Sequence, residues 1–244
     1  MLRNLGKTNR YRGNAPVGRA GTFRPVPVIA LTEVIARALS GPDLAGSTLG
    51  PGRTRLICID GPAGSGKTTL AGRLEHAAGR SGTTAATVHL DDLYDGWSAL
   101  VGDRARELTR GIRARILNPL ATGSAGRYRR YDWPSAAFAE EVEVPVVDLL
   151  VLEGCGSAQS DWSQSTALAI WVEVPPDLRT SRWLARDDDS RAAQQCRDWQ
   201  RDEQAWFARD RTRQRADLLV DGAALTEPAS TAPPALVGSW TRNH

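Results

Sequence analysis

Gly61-Pro62-Ala63-Gly64-Ser65-Gly66-Lys67-Thr68 is the stretch on which the reading of this chain turns. It fits G-x-x-x-x-G-K-[ST], a loop whose consecutive backbone N–H groups wrap the phosphates of a nucleotide. Lys67 is the only lysine after Lys7 in a chain with 31 lysines and arginines. Arginine's planar fork serves most surface charges, so a lone lysine here marks a site that needs a compact ammonium on a thin stem. In such a loop Lys67 reaches the β- and γ-phosphates and the Thr68 hydroxyl ligates Mg²⁺. Gly61, Ala63, Gly64, Ser65, Gly66 and Thr69 complete the cradle.

The flanks agree with the motif. Arg55-Leu56-Ile57-Cys58-Ile59-Asp60 reads as a short buried strand, and Thr69-Leu70-Ala71-Gly72-Arg73-Leu74 opens a helix whose N-terminal dipole faces the loop. Further apolar runs with strand character lie at Ala86–Leu90, Val146–Leu152, Leu168–Val174 and Ala216–Val220, with helical stretches between them. Continuous rather than alternating apolar runs belong to strands buried on both faces, which predicts an α/β fold with a parallel sheet between helices. Ligands in such folds bind at the carboxyl ends of the strands. The phosphate loop, Asp91-Asp92 and Glu153 each follow a predicted strand, so three polar sites converge on one edge.

Composition narrows the chemistry. With 244 residues, 41% hydrophobic and 24% charged, the chain can bury one substantial core. No apolar run approaches the roughly 18 to 20 residues of a membrane helix, and no secretory signal is visible, so a cytoplasmic location without a membrane partner is expected. Three histidines, His76, His89 and His244, support neither a zinc cluster nor a Ser-His-Asp triad. Cys58, Cys155 and Cys196 lack C-x-x-C spacing and read as structural thiols. Catalysis therefore falls to carboxylates, arginines and a bound ion.

The net charge of +3 comes from the N-terminus, because residues 1–28 carry six basic residues and no acid. That segment reads as a disordered tail in preference to a nucleic-acid-binding arm. Leu31, Val34, Ile35, Ala38 and Leu39 follow the stripe of an amphipathic helix. Residues 29–222 form the predicted domain, and 223–244, without periodicity, a loose C-terminal tail.

The acids beyond the loop suggest a reaction. Asp91 in His89-Leu90-Asp91-Asp92-Leu93-Tyr94 is placed to accept a proton from a substrate hydroxyl or to help hold the ion. Glu153, ending a hydrophobic strand, is a second candidate for Mg²⁺. Tyr128-Arg129-Arg130-Tyr131-Asp132-Trp133-Pro134 precedes a predicted helix containing Phe138. It fits both a nucleoside cradle, with Asp132 on a ribose diol and a ring stacked on a base, and simple packing. Arg179, Arg182 and Arg186 recur on one helical face, compatible with a lid over about 179–197 and equally with a solvated, ion-paired surface.

These motifs, in this order, resemble the uridine kinase family of P-loop nucleoside kinases. The likeness runs from the phosphate loop through Asp91-Asp92-Leu93-Tyr94, Tyr131-Asp132-Trp133-Pro134, Leu152-Glu153-Gly154 and Arg182 to Asp187, to Arg215-Ala216-Asp217. The resemblance implies a five-stranded parallel sheet with helices on both faces and a helical lid. It also implies ATP- and Mg²⁺-dependent phosphorylation of the 5′-hydroxyl of a pyrimidine nucleoside. By position Asp91 matches the catalytic carboxylate, Asp132 the ribose-binding aspartate and Glu153 the acid near Mg²⁺, while Arg182 and Arg186 fall in the lid. Tyr94, Tyr131 and Trp133 belong to the acceptor side. Trp133 replaces the histidine found in members with established uridine activity, and Cys155-Gly156-Ser157 stands where apolar residues are usual. Related kinases use nucleoside monophosphates, pantothenate or sugars, which keeps these acceptors as alternatives beside a nucleotide-responsive regulatory protein. Nucleic acid is not an expected partner, and the sequence sets no oligomeric state.

Overall fold

The computed structural model describes residues 27–46, 54–185, 192–225 and 235–241. The chain runs β1 (Val28–Ala30), α1 (Leu31–Ser40), β2 (Arg55–Asp60), α2 (Lys67–Arg80) and β3 (Ala85–His89). Next come α3 (Gly102–Ile112), a π turn (Arg113–Leu117), α4 (Asn118–Ala121) and the paired strands β4 (Gly126–Asp132) and β5 (Ala137–Val144). It closes with β6 (Leu149–Glu153), β7 (Thr166–Glu173), α5 (Pro176–Leu184), α6 (Ala192–Asp210), α7 (Thr212–Arg215), β8 (Leu218–Asp221) and β9 (Ala235–Trp240).

A seven-stranded sheet in the order β1-β9-β8-β7-β2-β6-β3 organises the molecule. Its β8-β7-β2-β6-β3 portion is parallel throughout, matching the five strands expected. β9 and β1 add two antiparallel strands at one edge. Alternate residues of the central strands feed opposite cores. Leu56, Cys58, Leu150 and Leu152 pack on one face with Tyr94, Trp162 and Trp199. Ile57, Ile59, Leu149 and Val151 pack on the other with α1 and α2, through Val34, Ile35, Leu70 and Leu74. β2 is buried along its whole length and lies between β6 and β7. The connection order reverses there, so the loop after β2 sits at the switch point where such sheets bind ligands.

Two expectations are corrected. Phe138 lies on β5, not a helix: Gly126–Asp132 and Ala137–Val144 pair antiparallel across a tight turn. Arg127 facing Glu143 and Arg130 reaching Glu140 at 2.6 Å reward the pairing, and such cross-strand contacts outweigh the helix propensity of the Ala- and Glu-rich segment. The segment after Gly222 is not loose throughout, since Ala235–Trp240 pairs with both β8 and β1. Leu236 enters the core there, which gives the edge strand an apolar anchor. Residues 1–26 and 186–191, which hold most of the expected N-terminal tail and the middle of the expected lid, lie outside the described residues.

The Asp60 carboxylate, fully buried, accepts backbone N–H bonds from Gly61 (2.8 Å), Gly156 (2.9 Å) and Ala158 (2.9 Å). Burial pushes its carboxyl up from 3.8 to about 6, and the three donors restrain the rise. Between those values the folded chain keeps a proton that the unfolded chain has released. The resulting stabilisation is complete below pH 3.8 and lost as pH climbs through about 6. Urea unfolding should show wild type losing up to about 3 kcal/mol relative to Asp60→Asn across that window. Parallel pH profiles for the two proteins would contradict this account. A second expectation concerns Gly222, where an added Cβ would lie 2.0 Å from the Ser65 carbonyl oxygen and 2.7 Å from Val174 Cγ1. Backbone cannot swing aside as a rotamer can, so Gly222→Ala should lower unfolding free energy by about 1–3 kcal/mol. An unchanged urea midpoint would show that the contact yields freely.

Candidate active site

The phosphate loop is shaped by its neighbours. Gly61 has φ 143°, and a Cβ there would sit 2.2 Å from the Val172 carbonyl oxygen, so only glycine lets β2 turn this close to β7. Gly66, in the left-handed region, caps α2, whose first residue is Lys67. The loop's amides thus gather at the N-terminus of a long helix, where anions are favoured. Ser65 Oγ is buried with no hydrogen-bond partner among the described residues.

Lys67 Nζ donates to the carbonyl oxygens of Gly61 (2.9 Å) and Pro62 (3.0 Å). Burial opposes its charge, but the carboxylates of Glu153, Glu203 and Asp91 outweigh that penalty and hold the ammonium above the usual lysine range. The Cys155 thiol, 3.7 Å from Nζ, is pushed well up by burial and stays protonated. Thr68 Oγ1 donates to Glu153 Oε1 at 3.0 Å, and His89 Nδ1 lies 2.6 Å from the same oxygen. That hydrogen bond, more than burial opposes it, lifts the imidazole's pKa. Asp91 opens to the cavity yet is ringed by protein. Desolvation and then the nearby Glu153 charge raise its carboxyl above the ordinary aspartate value.

A cavity of about 530 Å³ joins these groups. It is lined by Lys67, Thr68 and Thr69 of the phosphate loop and α2, by Asp91 and Glu153, and by the rings of Tyr94, Trp97, Trp133, Trp183 and Trp199. A larger cavity of about 760 Å³, between α1 and β7, lies away from the phosphate loop.

Most residues singled out from sequence meet here: Ala63, Gly64, Gly66, Lys67, Thr68, Thr69, Asp91, Tyr94, Trp133 and Glu153 all line the cavity. Others do not. Asp132 is absent from the lining, and its carboxylate caps its own turn by accepting the Ser135 N–H at 3.1 Å, with Arg130 at 3.5 Å. Tyr131 packs edge-on to Trp133 and Phe138. Arg182 donates to the carbonyl oxygens of Gly64 (3.3 Å) and Gly222 (3.1 Å), fastening the phosphate loop to the turn after β8. Arg179 pairs with Glu203, whose other oxygen accepts the Ala63 N–H at 2.8 Å. Arg186 lies outside the described residues.

Sequence reasoning missed His89 as the partner of Glu153, Glu203 as the anchor of the loop, and Trp97, Trp183 and Trp199 as the aromatic wall. Eight tryptophans against three phenylalanines was the available signal.

Residues 57–204 match the family described as AAA domain. Among curated proteins none matches. Two solved structures share the fold, each with a TM-score of 0.52. One, reported as a candidate fructose transport system kinase from Silicibacter sp. TM1040, is 21% identical, covering 73% of this chain and 92% of its own. The other, a candidate uridine kinase from Bacillus stearothermophilus, is 17% identical, covering 78% of this chain and all of its own. With its phosphate loop at the switch point of a mostly parallel sheet, the chain belongs to the AAA domain family.

Proposed function

We propose that this chain is an ATP- and Mg²⁺-dependent small-molecule kinase that phosphorylates the 5′-hydroxyl of a nucleoside, in the manner of a uridine kinase. One observation carries the reading: a carboxylate open to solvent, Asp91, shares a single cavity with Lys67, Thr68 and Glu153. A regulatory nucleotide binder has no need of the first. The names of the two structural neighbours, a candidate sugar kinase and a candidate nucleoside kinase, are compatible with transfer to an alcohol.

The residues fit the ligands. Backbone amides at the start of α2 and the Ser65 hydroxyl, without a partner among the described residues, suit a triphosphate. Thr68 and Glu153 offer two hard oxygen donors side by side, which suits an ion that keeps waters and phosphate oxygens in its remaining positions. When bound, Mg²⁺ supplies neutralisation of charge on the phosphate oxygens. His89 holds Glu153 in place by its short bond to Oε1. Lys67 exchanges the Gly61 and Pro62 carbonyls for the β- and γ-phosphates.

In the transfer, Asp91 accepts the acceptor's hydroxyl proton while the freed oxygen bonds to the γ-phosphorus. The bond from that phosphorus to the β–γ bridging oxygen breaks, and the electron pair leaves on ADP. A carboxyl lifted above the ordinary aspartate value is a better proton acceptor than one left at that value.

Asp91→Asn should reduce turnover by about 10²–10⁴. The rise in melting temperature on adding Mg·ATP should persist in that variant, because Lys67, Thr68 and Glu153 are untouched. ADP release measured for wild type and variant checks the rate, and near-full turnover by Asp91→Asn would remove the aspartate from the reaction.

A further inference from the structure

The phosphate loop is held from outside as well as by its own turns. Within it, the Ser65 N–H donates to the Pro62 carbonyl oxygen at 3.1 Å and closes a turn over residues 62–65. Two backbone groups at the crest of that turn are taken up by helices α5 and α6. The Ala63 N–H donates to Glu203 Oε2 on α6 at 2.8 Å, and the Gly64 carbonyl oxygen accepts Arg182 of α5 at 3.3 Å. The α5 backbone abuts the loop directly, because a Cβ added at Gly64 would lie 2.7 Å from the Arg179 carbonyl oxygen.

Glu203 is where these contacts meet. Its Oε1 pairs with Arg179, and Cys155 Sγ lies 3.4 Å from its Oε2. The same sulfur is 3.4 Å from the Gly61 carbonyl oxygen and 3.7 Å from Lys67 Nζ. One turn earlier on α6, Gln200 Nε2 donates to Thr180 Oγ1 of α5 at 3.2 Å, so the two helices are bonded side by side where they grip the loop.

The Ala63 N–H and the Pro62 carbonyl belong to one peptide unit, which is planar and turns as a whole. Glu203 holds the N–H side of that plane, while the carbonyl side accepts both Lys67 Nζ at 3.0 Å and the Ser65 N–H at 3.1 Å. Rotating the plane would break all three bonds together. A loop that grips phosphate with backbone amides binds tightly only when those amides are aimed beforehand, since ordering them on binding costs affinity.

We infer that Glu203 is a positioning residue for the nucleotide: by fixing the Pro62–Ala63 peptide plane, and held in turn by Arg179, it sets the phosphate loop in its binding shape before the ligand arrives. This rests on the nucleotide-binding half of the kinase reading above. It goes beyond that reading in assigning part of the affinity to a residue 140 positions along the chain from Ala63, acting through that residue's amide.

The test uses the full chain and calorimetric titration with Mg·ATP. Two double variants are compared, Arg179→Met with Glu203→Gln and Arg179→Met with Glu203→Leu. Both remove the buried ion pair, and only the first keeps an oxygen for the Ala63 N–H. The Gln variant should bind Mg·ATP within about threefold of wild type, and the Leu variant about tenfold more weakly. Urea unfolding of the ligand-free proteins fixes the folded fraction, so the difference in affinity is read between folded molecules. Arg179→Met with Glu203→Ala repeats the comparison without the bulk of leucine. The inference is overturned if the variants with and without the oxygen bind Mg·ATP equally, whether as tightly as wild type or more weakly. It is also overturned if the difference vanishes once affinity is referred to the folded fraction. A wild type that binds no Mg·ATP would instead sink the nucleotide reading itself, and this inference with it.

Discussion

A single buried carboxylate sets the geometry of the active edge. Asp60 ends the central strand β2, and its two oxygens collect N–H groups from the first residue of the phosphate loop and from two residues of the turn after β6. Buried donors left without acceptors are costly, so these three amides hold the two segments in one arrangement. Ser157 Oγ and the Gly154 N–H both bond the Ile59 carbonyl oxygen, at 2.8 and 3.1 Å, and close the same junction. Glu153 is thereby fixed relative to Thr68, and the Mg²⁺ donors proposed here are positioned by backbone rather than by flexible side chains.

The arginines serve a similar structural end. Arg182 stitches the phosphate loop to the turn after β8, and the pair Arg179–Glu203 joins α5 to α6 while Glu203 holds Ala63. Glu203 is only 1% exposed, so its charge depends on that arginine and on the loop amide for compensation. Movement of α5 or α6 is therefore felt directly by the phosphate loop. A sequence reading that sees regularly spaced arginines as free lid cations misses this, because the partners are carbonyl oxygens and a glutamate far along the chain.

What was legible follows from how far each signal reaches. The parallel strands and α1 announced themselves through local hydrophobic pattern, and the phosphate loop through glycine, lysine and threonine at fixed spacing. β5 was hidden because Ala137–Val144 has the composition of a helix, and its strand character comes from pairing with β4. β9 was hidden because a short edge strand needs only one face of apolar residues, and Ala235–Trp240 shows little of it outside Leu236. Asp132 looked like a ligand by its neighbours, but an aspartate preceding a turn finds a backbone N–H three residues on, and this one does. The tryptophan wall was beyond reach, since no property of Trp97 alone shows that Trp133, Trp183 and Trp199 converge on it.

The cavity combines two environments that the proposed phosphoryl transfer needs in contact. At one end amides and an ammonium offer positive potential to phosphate. Indole rings of Trp97, Trp133, Trp183 and Trp199 line the same cavity. Asp91 lines the cavity with both sets of groups, its main-chain carbonyl oxygen accepting the Trp133 indole N–H. In the proposed transfer water is the competing acceptor, and aromatic rings beside Asp91 offer it fewer polar groups than charged side chains would.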